Sequence, residues 1–210
     1  MPIIQKSNIL KEVHYLVWHI VENEHELWRG LHLPKGDSAK IQGFTNVNRR
    51  REMLATRQCL KVFFGEQMPE IAYLPNGCPV LNNGYHISVS HTRNLAAIAV
   101  SKIHTVGIDI EIRRDRIARI AGKFVNEQEE KFVPTEGRSD YLLALWGAKE
   151  CVVKLTRNRR LDFKNAIQVS PFALRGKEGF TEVRYHNAEE HRAKLYFQRN
   201  DNYFLTLAYQ

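Results

Sequence analysis

Two short segments of this 210-residue chain hold residue types that can do chemistry. Residues 105–111 read Thr-Val-Gly-Ile-Asp-Ile-Glu, a β-branched, alternating run expected as a strand. Its period of two sets Val106, Ile108 and Ile110 on one face, expected to be core, and Gly107, Asp109 and Glu111 on the other. Carboxylates two strand positions apart start from Cα atoms about 6.6 Å apart and can converge on one small hard cation. The second segment, Leu-Trp-Gly-Ala-Lys-Glu-Cys-Val-Val-Lys-Leu, reads as helix, with Trp146, Glu150 and Lys154 four residues apart on one stripe. Each feature alone has a plain alternative: a charged strand face in water, or an ordinary Glu-to-Lys helix pair worth about 0.3 kcal/mol. Their occurrence in one chain is what points to a site.

The elements that must position these residues follow from periodicity. Residues 13–21 read as a buried strand, and 47–64 as an amphipathic helix stopped by Gly65. Turn chemistry over 76–84 leads into alternating stretches at 86–90 and 95–100, joined by His-Thr-Arg-Asn, so a hairpin with His91 at its bend is expected. After the 105–111 strand come basic helical residues 113–124, a strong helix over 139–157, and strands near 181–186, 193–199 and 203–209. Strand, helix and paired strands thus occur twice, which predicts an α+β protein of two similar halves, 1–104 and 105–210. No low-complexity linker separates them, so tight packing is expected.

Composition bounds the alternatives. At 43% apolar and 26% charged residues the chain is neither disordered nor fibrous. Its formal charge of +8 argues for an anionic partner without choosing one. Cys59, Cys78 and Cys151 lie far apart with no CxxC spacing, so neither a disulfide framework nor a thiolate zinc site is expected, and a reducing compartment is. Lys6, Lys11, Glu12 and His14 interrupt any signal-peptide h-region, and the aliphatic run 95–100 is far too short to cross a bilayer. A soluble, cytoplasmic protein without a membrane partner is the expectation.

Gly107-Ile108-Asp109 with Glu111, followed by Trp146-Gly147-Ala148-Lys149-Glu150 with Lys154, resembles the two signature motifs of the 4'-phosphopantetheinyl transferases. Ser90-His91 in Ser-Val-Ser-His-Thr is similar to the family's Ser-His turn, and Lys123-Phe124-Val125 with Glu129 is similar to a further family segment. The length resembles the surfactin-synthetase-activating type, which implies a pseudo-dimer of two α+β halves with the site between them and a monomeric chain. The resemblance implies transfer of the 4'-phosphopantetheine arm of coenzyme A to a serine hydroxyl of an apo acyl or peptidyl carrier protein, releasing 3',5'-ADP. By the same match Asp109, Glu111 and Glu150 would hold Mg²⁺, with Glu150 and Lys154 catalytic. Lys154 and Lys149 would point ammonium groups at the phosphates, and Glu129 would take the serine proton. Ser90 and His91 would contact a phosphate. Arg50, Arg57 and Lys61, within about 40° of one another on their helix, would suit the 3'-phosphate, although the sequence leaves open which of Arg49 to Arg51 points inward. Gly77-Cys78-Pro79 departs from the family's usual Gly-Lys-Pro loop against the nucleotide; Gly77 and Pro79 keep the turn but a cation is missing, so weaker binding, or a compensating Lys or Arg nearby, is expected. Cys151 is expected to pack as a small apolar residue.

Two other readings compete. A basic metal-dependent nuclease also needs strand carboxylates, but the carboxylate and lysine two positions apart of restriction-type enzymes are missing, because Asp109 is followed by Glu111 and Arg113. A nucleic-acid-binding protein has the Arg49 to Arg51 run behind it, yet there is no RNP pattern, zinc finger or basic zipper, so a nucleic-acid partner is not favoured. His186 and His191 alone make a poor metal site.

Overall fold

The computed structural model describes residues 3–10, 12–113, 115–174 and 176–210. The chain divides into two compact units, Met1–Ile103 and His104–Gln210.

In the first unit, β1 (Ile3–Leu10), β2 (Val13–His19), β5 (His86–Thr92) and β6 (Leu95–Ser101) form an antiparallel sheet in the order β1-β2-β6-β5. Before the β5–β6 hairpin come α1 (Glu24–Trp28), α2 (Lys35–Gln42), α3 (Val47–Phe64) and the small hairpin β3 (Ile71–Tyr73) and β4 (Pro79–Leu81). The 18-residue α3 starts where Asn46 caps it, its side chain accepting from the backbone N–H of Asn48 and Arg49. It ends at Gly65, whose φ of 65° is open to glycine at little cost. Leu54, Ala55, Cys59 and Leu60 of α3 bury against Leu16, Ile98 and Val100 of the sheet.

The second unit repeats that order. Strand β7 (Val106–Ile112) leads through a nine-residue 3-10 segment (Asp115–Lys123) and α4 (Glu127–Glu130) to α5 (Arg138–Thr156). Then follow β8 (Ile167–Val169), β9 (Glu178–Asn187), β10 (Glu189–Arg199) and β11 (Tyr203–Tyr209), all antiparallel in the order β7-β11-β10-β9-β8. In both units a strand that precedes the long helix pairs with the last strand. The helices stand apart from antiparallel sheets, which makes the fold α+β.

Two local expectations change. Pairing in the β5–β6 hairpin runs on to Thr92↔Leu95, so the bend is Arg93–Asn94 and His91 still lies in the strand, opposite Ala96. The 115–123 segment winds as 3-10 rather than α-helix. Among the described residues no helix is long and apolar enough to cross a membrane.

Candidate active site

Two glycines set how closely α5 meets the sheet of the second unit. A Cβ at Gly107 would stand 2.8 Å from the backbone carbonyl carbon of Cys151 and closer still to its oxygen. A Cβ at Gly147 would stand 2.9 Å from Thr206 Cβ, closer to its Oγ1, and 3.7 Å from Asp109 Oδ2. Both strand and helix therefore need a residue without a side chain where they cross.

That crossing puts Asp109 under the helix. The unit's hydrophobic core, in which Leu145, Ala148, Cys151 and Val152 of α5 meet Phe204 and Ala208 of β11, lies on the side of the sheet that Gly107 and Asp109 face. Val106, Ile108 and Ile110 are buried as expected, and the face that carries Gly107 and Asp109 is covered as well, by α5. Gly107 and Ala208, small and paired across β7 and β11, make the room.

Lys154, two turns beyond Gly147, reaches back to the strand. Its Nζ donates to Asp109 Oδ1 and to the Ile108 carbonyl, both at 2.7 Å. Burial alone would push this ammonium down, but the charges of Asp109 and Glu150 hold its pKa above the ordinary value. Half-buried Glu150 shows the converse, its carboxyl raised first by burial and then by the negative charge of Asp109. Lys154 pairs with Asp109 in this structure, and carboxylate oxygens such as those of Asp109 and Glu150 are of the kind a hard divalent ion takes. Among the described residues no three His, Cys, Asp or Glu side chains are gathered tightly enough to hold a metal. An ion there would need these carboxylates to draw in and Lys154 to release Asp109. Cys151 packs as expected: buried, its thiol raised well above the usual range by desolvation, Sγ donating to the Thr206 carbonyl at 3.2 Å.

Glu129 and Lys149 lie elsewhere, sealed together. Both side chains are fully buried and pair at 2.7 Å. Lys149 Nζ also donates to the carbonyls of Phe124 and Phe163, while Glu129 accepts from the backbone N–H of Asn126 and Val169. Both Glu129 oxygens already accept hydrogen bonds, and neither side chain reaches solvent in this structure. The pair ties α4, α5 and β8 together instead. Trp146 closes this side, edge-on to Phe124 with centroids 5.3 Å apart and tilted against Phe163 at 5.4 Å.

The basic stripe of α3 in the first unit is likewise spoken for. Arg50 grips Glu24 at 2.9 Å and the Phe44 carbonyl at 2.6 Å. Buried Arg57 holds Asp37 through both carboxylate oxygens and meets the Tyr73 hydroxyl at 3.1 Å. Lys61 donates to the Gly30 carbonyl at 2.5 Å. These three fasten α1, α2 and their loops to α3. Arg51 binds the carbonyls of Ile20 and Glu22. Arg49 is the member of the run that reaches β5, its Nη1 against His91 Nε2 and 3.3 Å from Glu52. Ser90, which precedes His91 on β5, is buried. Gly77, at φ 80°, and Pro79 shape the tip and first paired residue of the β3–β4 hairpin. A lysine does come to that hairpin: Lys40 Nζ stands 3.0 Å over the ring of Tyr73, the strand partner of Pro79.

Sequence reasoning missed Glu52, Asp37 and Glu24, the acidic partners of these arginines. Glu52 had a signal, three residues after Arg49 on one helix; Asp37 and Glu24 lie on short helices with no apolar period to announce them.

No curated protein matches the chain. Residues 105–208, nearly the whole of the unit that carries Asp109, Glu150 and Lys154, match the model of the 4'-phosphopantetheinyl transferase superfamily.

Proposed function

We propose that this protein moves the 4'-phosphopantetheine arm of coenzyme A onto a serine hydroxyl of an apo acyl or peptidyl carrier protein, as an enzyme of the surfactin-synthetase-activating type. The match to this superfamily supports phosphopantetheine transfer in general, with coenzyme A as substrate and a carrier protein as acceptor. The observation that carries the finer reading is the Asp109, Glu150 and Lys154 assembly beneath a helix admitted by Gly107 and Gly147.

The serine oxygen attacks the pyrophosphate phosphorus nearer the pantetheine. The new P–O bond forms as the bond to the bridging oxygen breaks, and 3',5'-ADP leaves with the electron pair. Asp109, Glu111 and Glu150 would hold Mg²⁺, which when bound neutralises charge on the pyrophosphate. The Lys154 ammonium, freed from Asp109, stabilises the phosphoryl oxygens in the displacement. With Glu129 enclosed, the serine proton passes to Glu150, the half-buried carboxylate of the assembly. His91 and Ser90 contact a phosphate of coenzyme A, and Gly77 and Pro79 shape the loop against its nucleotide.

Incubation with coenzyme A, Mg²⁺ and an apo carrier is expected to add one phosphopantetheine mass to the carrier. Asp109→Ala and Glu150→Ala are each expected to lower the rate at least about a thousandfold with the circular dichroism spectrum unchanged. Transfer surviving either change sinks the assignment, and Mg²⁺-dependent cleavage of DNA or RNA without any transfer would favour a nuclease.

A further inference from the structure

Glu52 stands at the centre of a charged cluster of the first unit that includes His91, a residue proposed to meet coenzyme A. It projects from the second turn of α3 toward β5 and its side chain is largely buried, with 15% exposed. Its Oε2 lies 3.1 Å from His91 Nδ1 and 3.3 Å from Arg49 Nη1. Arg49 Nη1 in turn meets His91 Nε2, which closes a triangle. Arg49 also lies across the Phe44 ring, 5.7 Å from its centroid, and so is steered from two sides.

Hydrogen-bond sense fixes the imidazole. A guanidinium has donors only, so the ring nitrogen that faces it must accept. Nε2 therefore presents its lone pair to Arg49, and the ring proton sits on Nδ1, where Glu52 accepts it. Across the ladder β6 offers only Ala96, so Arg49 and Glu52 are the charged groups that α3 and β6 turn to the ring. Burial pushes the Glu52 carboxyl up, but the hydrogen bond and charge of His91, then those of Arg49, more than offset it and leave its pKa below the ordinary value. The carboxylate is thus held charged between two groups that would otherwise repel when the imidazole takes up a second proton.

We propose that Glu52 is a positioning residue for coenzyme A: it orients His91 through Nδ1–H and keeps Arg49 beside the ring, so that both groups meet the same phosphate. This rests on the phosphopantetheinyl transfer proposed above. Glu52 touches no substrate atom; its charge offsets that of the guanidinium beside the ring, and once Arg49 shifts onto the phosphate the ring, anchored at Nδ1, takes up a proton at Nε2 and donates it in a hydrogen bond to the same phosphate.

The test combines a spectrum with kinetics. In ¹⁵N-labelled wild type, the His91 ring is expected as the Nδ1–H tautomer. In Glu52→Ala that signature is expected to give way to the common Nε2–H form, with KM for coenzyme A raised about tenfold and kcat within about twofold. Glu52→Gln, which keeps an acceptor but no charge, is expected to retain the tautomer and recover part of the KM, a rescue that loss of helix packing would not produce. An unchanged tautomer and KM in Glu52→Ala, or a fall in kcat alone, would overturn the assignment while transfer by the wild type still stood. A wild type that neither binds coenzyme A nor modifies a carrier defeats the transferase reading itself, whatever the tautomer.

Discussion

At the scale of single residues, a motif spacing tells which side chains share a face but not which of them are already satisfied. Glu129 shows the difference. Removing the charge in Glu129→Gln leaves the buried Lys149 ammonium without its counter-charge, and a broken buried pair of this kind costs about 3–5 kcal/mol. Calorimetry is expected to show a clear drop in the unfolding temperature, while the transfer rate, measured cold enough to keep the variant folded, stays within about threefold of wild type. A stable but inactive Glu129→Gln protein would return the base role to that residue. Asp109, Glu150 and Lys154 were legible because strand and helix periods place them in simple sums of two and four. Arg57 was not, since its partner Asp37 lies 20 positions away on a helix whose sequence, Lys-Gly-Asp-Ser-Ala-Lys-Ile-Gln, offers one large apolar residue. Nor was Lys40, whose approach to Tyr73 depends on a tertiary contact that no local pattern encodes.

At the scale of elements, the long pieces with strong periods, α3, α5 and β7, were readable, and the short ones were not. Strand β1 alternates exposed and half-buried residues without a strong apolar face, and α1 spans only five residues held by a capping box of Asn23 and Glu26. Over the nine residues from Asp115 to Lys123 a period of three can hardly be told from 3.6. The β7–α5 crossing yields a graded prediction. Gly147→Ala meets a threonine side chain, which can rotate, and is expected to cost about 1–3 kcal/mol. Gly107→Ala meets a helix backbone carbonyl, which cannot, and should lower the urea midpoint further. Equal effects, or a larger one for Gly147→Ala, would show that the helix can slide and that the contact does not set the site.

At the scale of the whole molecule, the charge of +8 now has a reading that needs no nucleic acid. Coenzyme A is polyanionic, and carrier proteins present acidic surfaces, so a positive field would speed encounter with both. Raising salt from about 50 to 500 mM is therefore expected to raise KM for the carrier several-fold while leaving kcat within about twofold; insensitivity to salt would remove the electrostatic account. The repeated order of strand, helix and last strand also has a consequence in time. Asp109 finds its cross-strand neighbour only in Thr206, about a hundred residues downstream. While the chain is being synthesised, the acidic strand of the site waits unpaired until nearly all of its own unit has left the ribosome, and for that interval it is a bare edge open to aggregation. Pairing of the acidic strand thus waits on the far end of its own unit.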